Sequence, residues 1–153
     1  MKTKTLIIAC LLLGSGLTQL SAQNDKNGNG SDVVWNTWDT YYIFACNSSG
    51  EVTDMLVGPV TYHAVQYYKD GVFLWERAHF TGEIVSVGLD GQSGTGEVFN
   101  LKDHWTTLEI GVSGTGHFIA KGDQGTTYII FYQLQWLPDP PYEIFTVLKA
   151  IKQ

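Results

Sequence analysis

The residues with the most chemistry are gathered in one short stretch. In an extended chain alternate side chains face opposite ways. Phe73, Trp75, Arg77 and His79 are therefore expected on one face of a strand, and Leu74, Glu76, Ala78 and Phe80 on the other. With the Phe73 face inside, Arg77 would stand among rings and offer two parallel donors to a carboxylate or phosphate head group. With the Leu74 face inside, Glu76 becomes a buried carboxylic acid of raised pKa, suited to general acid/base work. The pattern leaves both faces open, together with a third arrangement in which Arg77 pairs with a Glu or Asp on an outer surface and the exposed aromatics are ordinary cross-strand partners.

His63 and His79 flank Asp70-Gly71, a strong hairpin signal, at nearly equal distance. A three-residue loop centred on Gly71 would set the two imidazoles opposite each other, close enough to share a metal ion or a proton. A two-residue loop would pair His63 with Ala78 and send the imidazoles to different faces. His104 and His117 read as turn residues at strand starts. No third metal ligand is evident, and no cofactor is implied. Gly-x-Ser-x-Gly and zinc-protease motifs do not occur, so nucleophilic hydrolysis finds little support.

Two near-copies, Ser93-Gly94-Thr95-Gly96 and Ser113-Gly114-Thr115-Gly116, suggest an anion cradle. Neither carries the third glycine of a dinucleotide fingerprint or the lysine of a phosphate loop, and neither opens a helix. Both are expected to be hairpin turns. Asn47-Ser48-Ser49 fits a glycosylation acceptor and equally a plain turn.

The elements that must carry these residues follow a period of two, broken by Gly, Asp, Asn and Pro. Eight strands are expected, over residues 33–46, 51–68 (kinked at Gly58-Pro59), 72–89, 95–101, 105–113, 117–121, 126–136 and 142–151. No stretch has a helical stripe. Consecutive strands joined by short turns form an antiparallel meander, and such a meander tends to close because closure removes exposed edges. The expected fold is all-β, a barrel of about eight strands whose interior is filled by side chains or holds one small ligand.

Before these strands, Lys2 and Lys4 precede the apolar run Leu6–Leu13 and a small-residue end at Ser21-Ala22. This is the order of a secretory leader, expected over residues 1–22 and too short to span a membrane. Residues 23–32, with Asn27-Gly28-Asn29-Gly30, should tether a single domain over residues 33–153. That domain would work outside the cytoplasm, secreted or periplasmic.

The whole chain of 153 residues carries a net charge of -6, and loss of Lys2 and Lys4 takes this to -6 - 2 = -8. An acidic surface argues against nucleic acid or anionic membrane as the main partner. Of the cysteines Cys10 and Cys46, only Cys46 would survive cleavage, so no intrachain disulfide is expected. A buried thiol, or a bond to another chain, remains.

The order Cys46, Gly50-Glu51-Val52, Gly58 and His63, then His79-Phe80 before glycine-punctuated strands, resembles small exported bacterial β-barrel proteins of uncharacterised function. Members of that group tend to end in a second cysteine, whereas this chain ends Ala150-Ile151-Lys152-Gln153. In shape alone the expected architecture is similar to lipocalin, avidin and allene oxide cyclase barrels, without the lipocalin Gly-x-Trp opening at Trp35 or Trp38. Shape carries no activity. Three functions are compatible: a non-catalytic barrel for a small apolar or amphipathic molecule, drawing on Phe73, Trp75, Arg77, His79, His63 or Glu76; a cyclase or isomerase working in the barrel; and a surface, matrix or partner-binding protein whose aromatic residues face outward to a protein, an oligomer partner included, or a glycan.

Overall fold

A computed structural model describes residues 5–9, 29–109, 113–137 and 142–153. Its strands are β1 (Thr5–Ala9), β2 (Gly30–Cys46), β3 (Val52–Lys69), β4 (Val72–Ser86), β5 (Val98–Glu109), β6 (Ser113–Gly122), β7 (Thr127–Trp136) and β8 (Tyr142–Lys152). From β2 to β8 each strand pairs antiparallel with the next, a seven-stranded meander, and β1 adds to the far side of β8. Of the leader expected over residues 1–22 only Thr5–Ala9 is described, and the expected tether lies outside the described residues up to position 28. β2 starts at Gly30, inside that tether.

The sheet curls but does not close into the expected barrel. β2 has no ladder to β8, whose free side is taken by β1. The two ends of the meander meet through side chains instead. Phe44 of β2 lies with its ring centre 6.1 Å from that of Phe145 on β8. The amide of Lys152 donates to Ser48 Oγ, beyond the end of β2, at 3.4 Å.

Alternation sorts the side chains. One face, concave, buries Val34, Ile43, Leu56, Val60, Ile84, Phe99, Leu101, Phe118, Ile130 and Phe145 into a single core. The curl is helped by irregularities where the sequence forces them. Asp39 and Thr40 are left over between the pairs Trp38–Val60 and Tyr41–Gly58, opposite Pro59, which has no N–H to offer a ladder. The irregularity falls opposite Gly58-Pro59, the site of the expected kink, and β3 itself runs unbroken from Val52 to Lys69.

The strands expected at 95–101 and 105–113 are one strand, β5. Lys102-Asp103-His104 reads as a polar break, yet each of the three is accommodated without a turn, Asp103 inside and its neighbours outside. The first Ser-Gly-Thr-Gly copy does lie between strands, with Gly96 at φ 72°. The second does not: Ser113–Gly116 opens β6, and its glycines serve the interior as described below.

Candidate functional site

At the centre of the concave face stands Asp103, 1 % exposed. Cross-strand pairing places it between Phe80 of β4 and Phe118 of β6. Hydroxyls from two distant strands converge on one of its oxygens: Tyr41 donates to Oδ2 at 2.7 Å and Tyr132 at 2.8 Å. Among the described residues, the buried Oδ1 has no hydrogen-bond partner. Buried polar atoms are nearly always paired, so an orphan of this kind calls for a reason. Burial pushes the Asp103 carboxyl up to about 7, even though the two tyrosine hydroxyls and the adjacent His104 amide pull it down. Burial, then the Asp103 charge, pushes both tyrosine hydroxyls well above their ordinary value.

The surroundings are aromatic. Tyr41 stacks on Phe80 at 5.0 Å, Tyr132 on Phe145 at 5.1 Å, and Trp38 on Tyr62 at 5.6 Å. Trp105 meets Trp136 edge-on at 5.4 Å. These rings fit because β6 presents glycine beneath them. A Cβ on Gly114 would lie 2.0 Å from the Trp105 ring, and one on Gly116 would lie 2.4 Å from the Tyr132 ring. Large rings can thus lie flat on the sheet.

Glu76 also faces this side, next to its cross-strand partner Gln66. Its Oε2 accepts from Tyr62 Oη at 2.6 Å and from Gln66 Nε2 at 2.7 Å, and Tyr68 Oη donates to Gln66 Oε1 at 2.9 Å. Glu76, Gln66, Tyr68, Trp38 and Trp136 are only half-buried, in contrast to the closed end around Leu56, Ile84 and Phe99. The concave face therefore has a packed end and a more accessible end lined by polar and aromatic groups.

The alternative left open for the third predicted strand is thereby decided: the Glu76 face is inside. Arg77 and His79 are exposed on the convex face, and the interior placement of Arg77 beside an anionic head group does not occur. Arg77 instead lies over the Trp75 ring at 5.3 Å, while Trp75 stacks on Tyr67 at 3.6 Å. Such an exposed contact is worth no more than about 1 kcal/mol. Arg77→Ala is accordingly expected to shift stability by at most about 1 kcal/mol in urea unfolding. A loss of several kcal/mol would mean that Arg77 holds the interior after all.

Phe73 does not join Trp75, Arg77 and His79. The hairpin turn is the two-residue Asp70-Gly71, with φ of 53° and 75° between the paired Lys69 and Val72. On its own this turn would pair His63 with Ala78. A bulge intervenes, since Tyr68 pairs with Phe73 and Tyr67 with Trp75, leaving Leu74 over. The extra residue sends Phe73 to the Tyr68 side, where the two rings meet edge-on at 5.7 Å. It also brings His63 opposite His79, the outcome expected of a three-residue loop.

The pairing does not stop there. His79 is opposite His104, and His104 opposite His117, so neither of the latter is a turn residue. All four histidines of the chain lie in one row across β3, β4, β5 and β6, continued by Trp35 at one end and Phe131 at the other. Along it the ring centres are spaced 4.0 Å (Trp35–His63), 6.4 Å (His63–His79), 4.5 Å (His79–His104), 4.8 Å (His104–His117) and 5.5 Å (His117–Phe131). Partial burial, then the neighbouring imidazoles His104 and His63, lowers the basicity of His79. His104 is lowered by partial burial, then by His117 and Lys102.

The remaining chemical groups have structural duties. Cys46 is a fully buried free thiol whose pKa burial pushes up to about 11, which makes it unreactive. Buried Glu97 accepts from the amides of Gln124 at 3.1 Å and Thr126 at 3.0 Å, fastening the β6–β7 turn. Asn47 Oδ1 accepts from the amides of Ser49 and Glu51 and so closes the β2–β3 turn. Compared with known proteins, the chain matches no family model, no curated protein and no solved structure.

Proposed function

We propose that the concave face binds a small, mainly apolar molecule carrying one polar group, which meets Asp103 Oδ1. The observation that carries this reading is the orphan oxygen itself, held among stacked rings that offer area to an apolar body. A carboxylate that half the molecules ionise near pH 7 accepts from a hydroxyl or an ammonium and repels a carboxylate. The half-buried Glu76 and Gln66 at the accessible end add to that preference. With the leader pattern of residues 1–22, the site would act outside the cytoplasm, and no catalysis is required of it.

One observation favours a second reading, a cyclase or isomerase. A carboxyl of pKa about 7, hydrogen-bonded to two tyrosines in an apolar interior, is tuned to take a proton from a bound molecule and return it. Turnover of a bound compound would select this reading over plain binding.

The test is a tryptophan fluorescence titration with dodecanol, dodecylamine and dodecanoate at pH 8. The alcohol and the amine should quench and the carboxylate should bind weakest. Asp103→Leu is expected to weaken the amine by about 1.5–3 kcal/mol, tenfold or more, and Asp103→Asn, which keeps an acceptor, to weaken it less. Equal affinity of wild type and both variants for all three compounds would remove Asp103 from the site.

A further inference from the structure

The row of histidines on the convex face plays no part in that reading. Its four members are scattered in the chain at positions 63, 79, 104 and 117, with no common spacing. Only the antiparallel register, including the Leu74 bulge, brings them side by side. His79 is exposed and His63, His104 and His117 are partly exposed, each in the middle of a strand that fixes its backbone. The row is thus reachable from solvent and held on a rigid support.

We propose that the convex face captures a divalent transition-metal ion, Cu2+ foremost, between His79 and His104. Metal–imidazole bonds of about 2.0–2.1 Å place two coordinating nitrogens no more than about 4 Å apart. Ring centres 4.5 Å apart with planes at 85° meet that requirement with small rotations about the side-chain bonds. His104 and His117, stacked at 4.8 Å with planes at 11°, would have to turn further, and His63 and His79, at 6.4 Å, would have to approach. The central pair is the best placed, and its flanking partners stand within reach of a third coordination position.

The ligand set selects the ion. Imidazole suits copper, nickel and zinc, and affinity among divalent ions peaks at Cu2+. The neighbouring outward positions hold Arg77 and Thr106 on one side and Thr81 and Lys102 on the other, so no carboxylate borders the pair. Ca2+ and Mg2+, which need several oxygen ligands, are excluded by that lack. Among the described residues no three ligating side chains already converge on one point. The site is therefore a two-imidazole site completed by solvent or a flanking imidazole, open on its outer side and of the exchanging kind.

The experiment is titration of the full chain with Cu2+ at pH 7.4, followed by calorimetry and by electron paramagnetic resonance of the bound ion. Wild type should bind one equivalent in the micromolar range with nitrogen hyperfine structure, and Ca2+ should give no heat. His79→Gln/His104→Gln should lower Cu2+ affinity at least tenfold while circular dichroism stays unchanged. Both positions are on the outer face, and His63→Gln/His117→Gln serves as the comparison, with a smaller loss. No Cu2+ binding below 1 mM, or an undiminished affinity in His79→Gln/His104→Gln, would overturn the proposal, as would an equal loss in both double variants.

Discussion

The stability of wild type relative to Asp103→Asn is expected to fall by about 4 kcal/mol between pH 4 and pH 8. The folded structure raises the Asp103 carboxyl from 3.8 to about 7, chiefly because burial penalises the ionised form. The folded state then holds this proton more tightly than the unfolded chain does. Its contribution is fully present below the unfolded value and is lost as pH rises through about 7. A shift of roughly three units at about 1.4 kcal/mol each sets the size. Asparagine has no such proton, so the difference between the two proteins, measured by urea unfolding at steps across the window, isolates this one group from the other carboxylates. A difference that stays constant with pH would show that Asp103 remains ionised in the fold. The orphan oxygen would then have to be solvated.

Gly82→Ala should be the most damaging small substitution, costing about 3 kcal/mol or more. A Cβ there would stand 2.2 Å from the Pro59 carbonyl oxygen and 3.0 Å from Val60 Cα, both backbone atoms of the neighbouring strand. Gly58 shows the reciprocal approach, with its Cβ 2.5 Å from the Glu83 carbonyl oxygen. At this point β3 and β4 leave no room for a side chain between them, beside the register irregularity opposite Pro59. Gly71→Ala is the informative comparison. Nothing lies within 4 Å of its Cβ, and only its positive φ of 75° opposes a side chain, at a cost of about 1–2 kcal/mol. Equal losses in the two variants by thermal unfolding would mean that close strand approach is not what Gly82 serves.

How far the sequence could be read differs between the ladder and the site. Alternation identified an antiparallel meander, because period two follows from the pleat itself and each strand from β2 to β8 has one buried face. Closure could not be read, since alternation within β2 and β8 says nothing of whether their outer edges pair. The interior carboxylate was hidden by its context. Lys102-Asp103-His104 has the composition of a turn, and a strand interior becomes plausible only once Tyr41 and Tyr132 are known to reach the aspartate from strands far away in the chain.

The Ser113–Gly116 segment was misleading for a related reason. Glycine there makes room for the Trp105 and Tyr132 rings instead of bending the chain. The pairing of His63 with His79 was legible in outline from Asp70-Gly71. Its actual cause, a two-residue turn corrected by a bulge at Leu74, was not, because bulges leave little trace in hydropathy. Extending the row to His104 and His117 needs the register of three further strands. A sequence spacing with no period carries none of that.

The central claim is that the ligand-binding surface is the concave one around Asp103. The most direct measurement is a nitrogen–proton correlation spectrum of the isotope-labelled protein, recorded with and without dodecylamine at pH 8. Of the five tryptophans, Trp38, Trp105 and Trp136 belong to the concave face, whereas Trp35 and Trp75 belong to the convex one. The account predicts that the indole signals of Trp38, Trp105 and Trp136 shift saturably, together with the amides flanking Asp103, while those of Trp35 and Trp75 stay in place. Saturable shifts confined to Trp35, Trp75 and the histidine row, or none at any tryptophan, would contradict it.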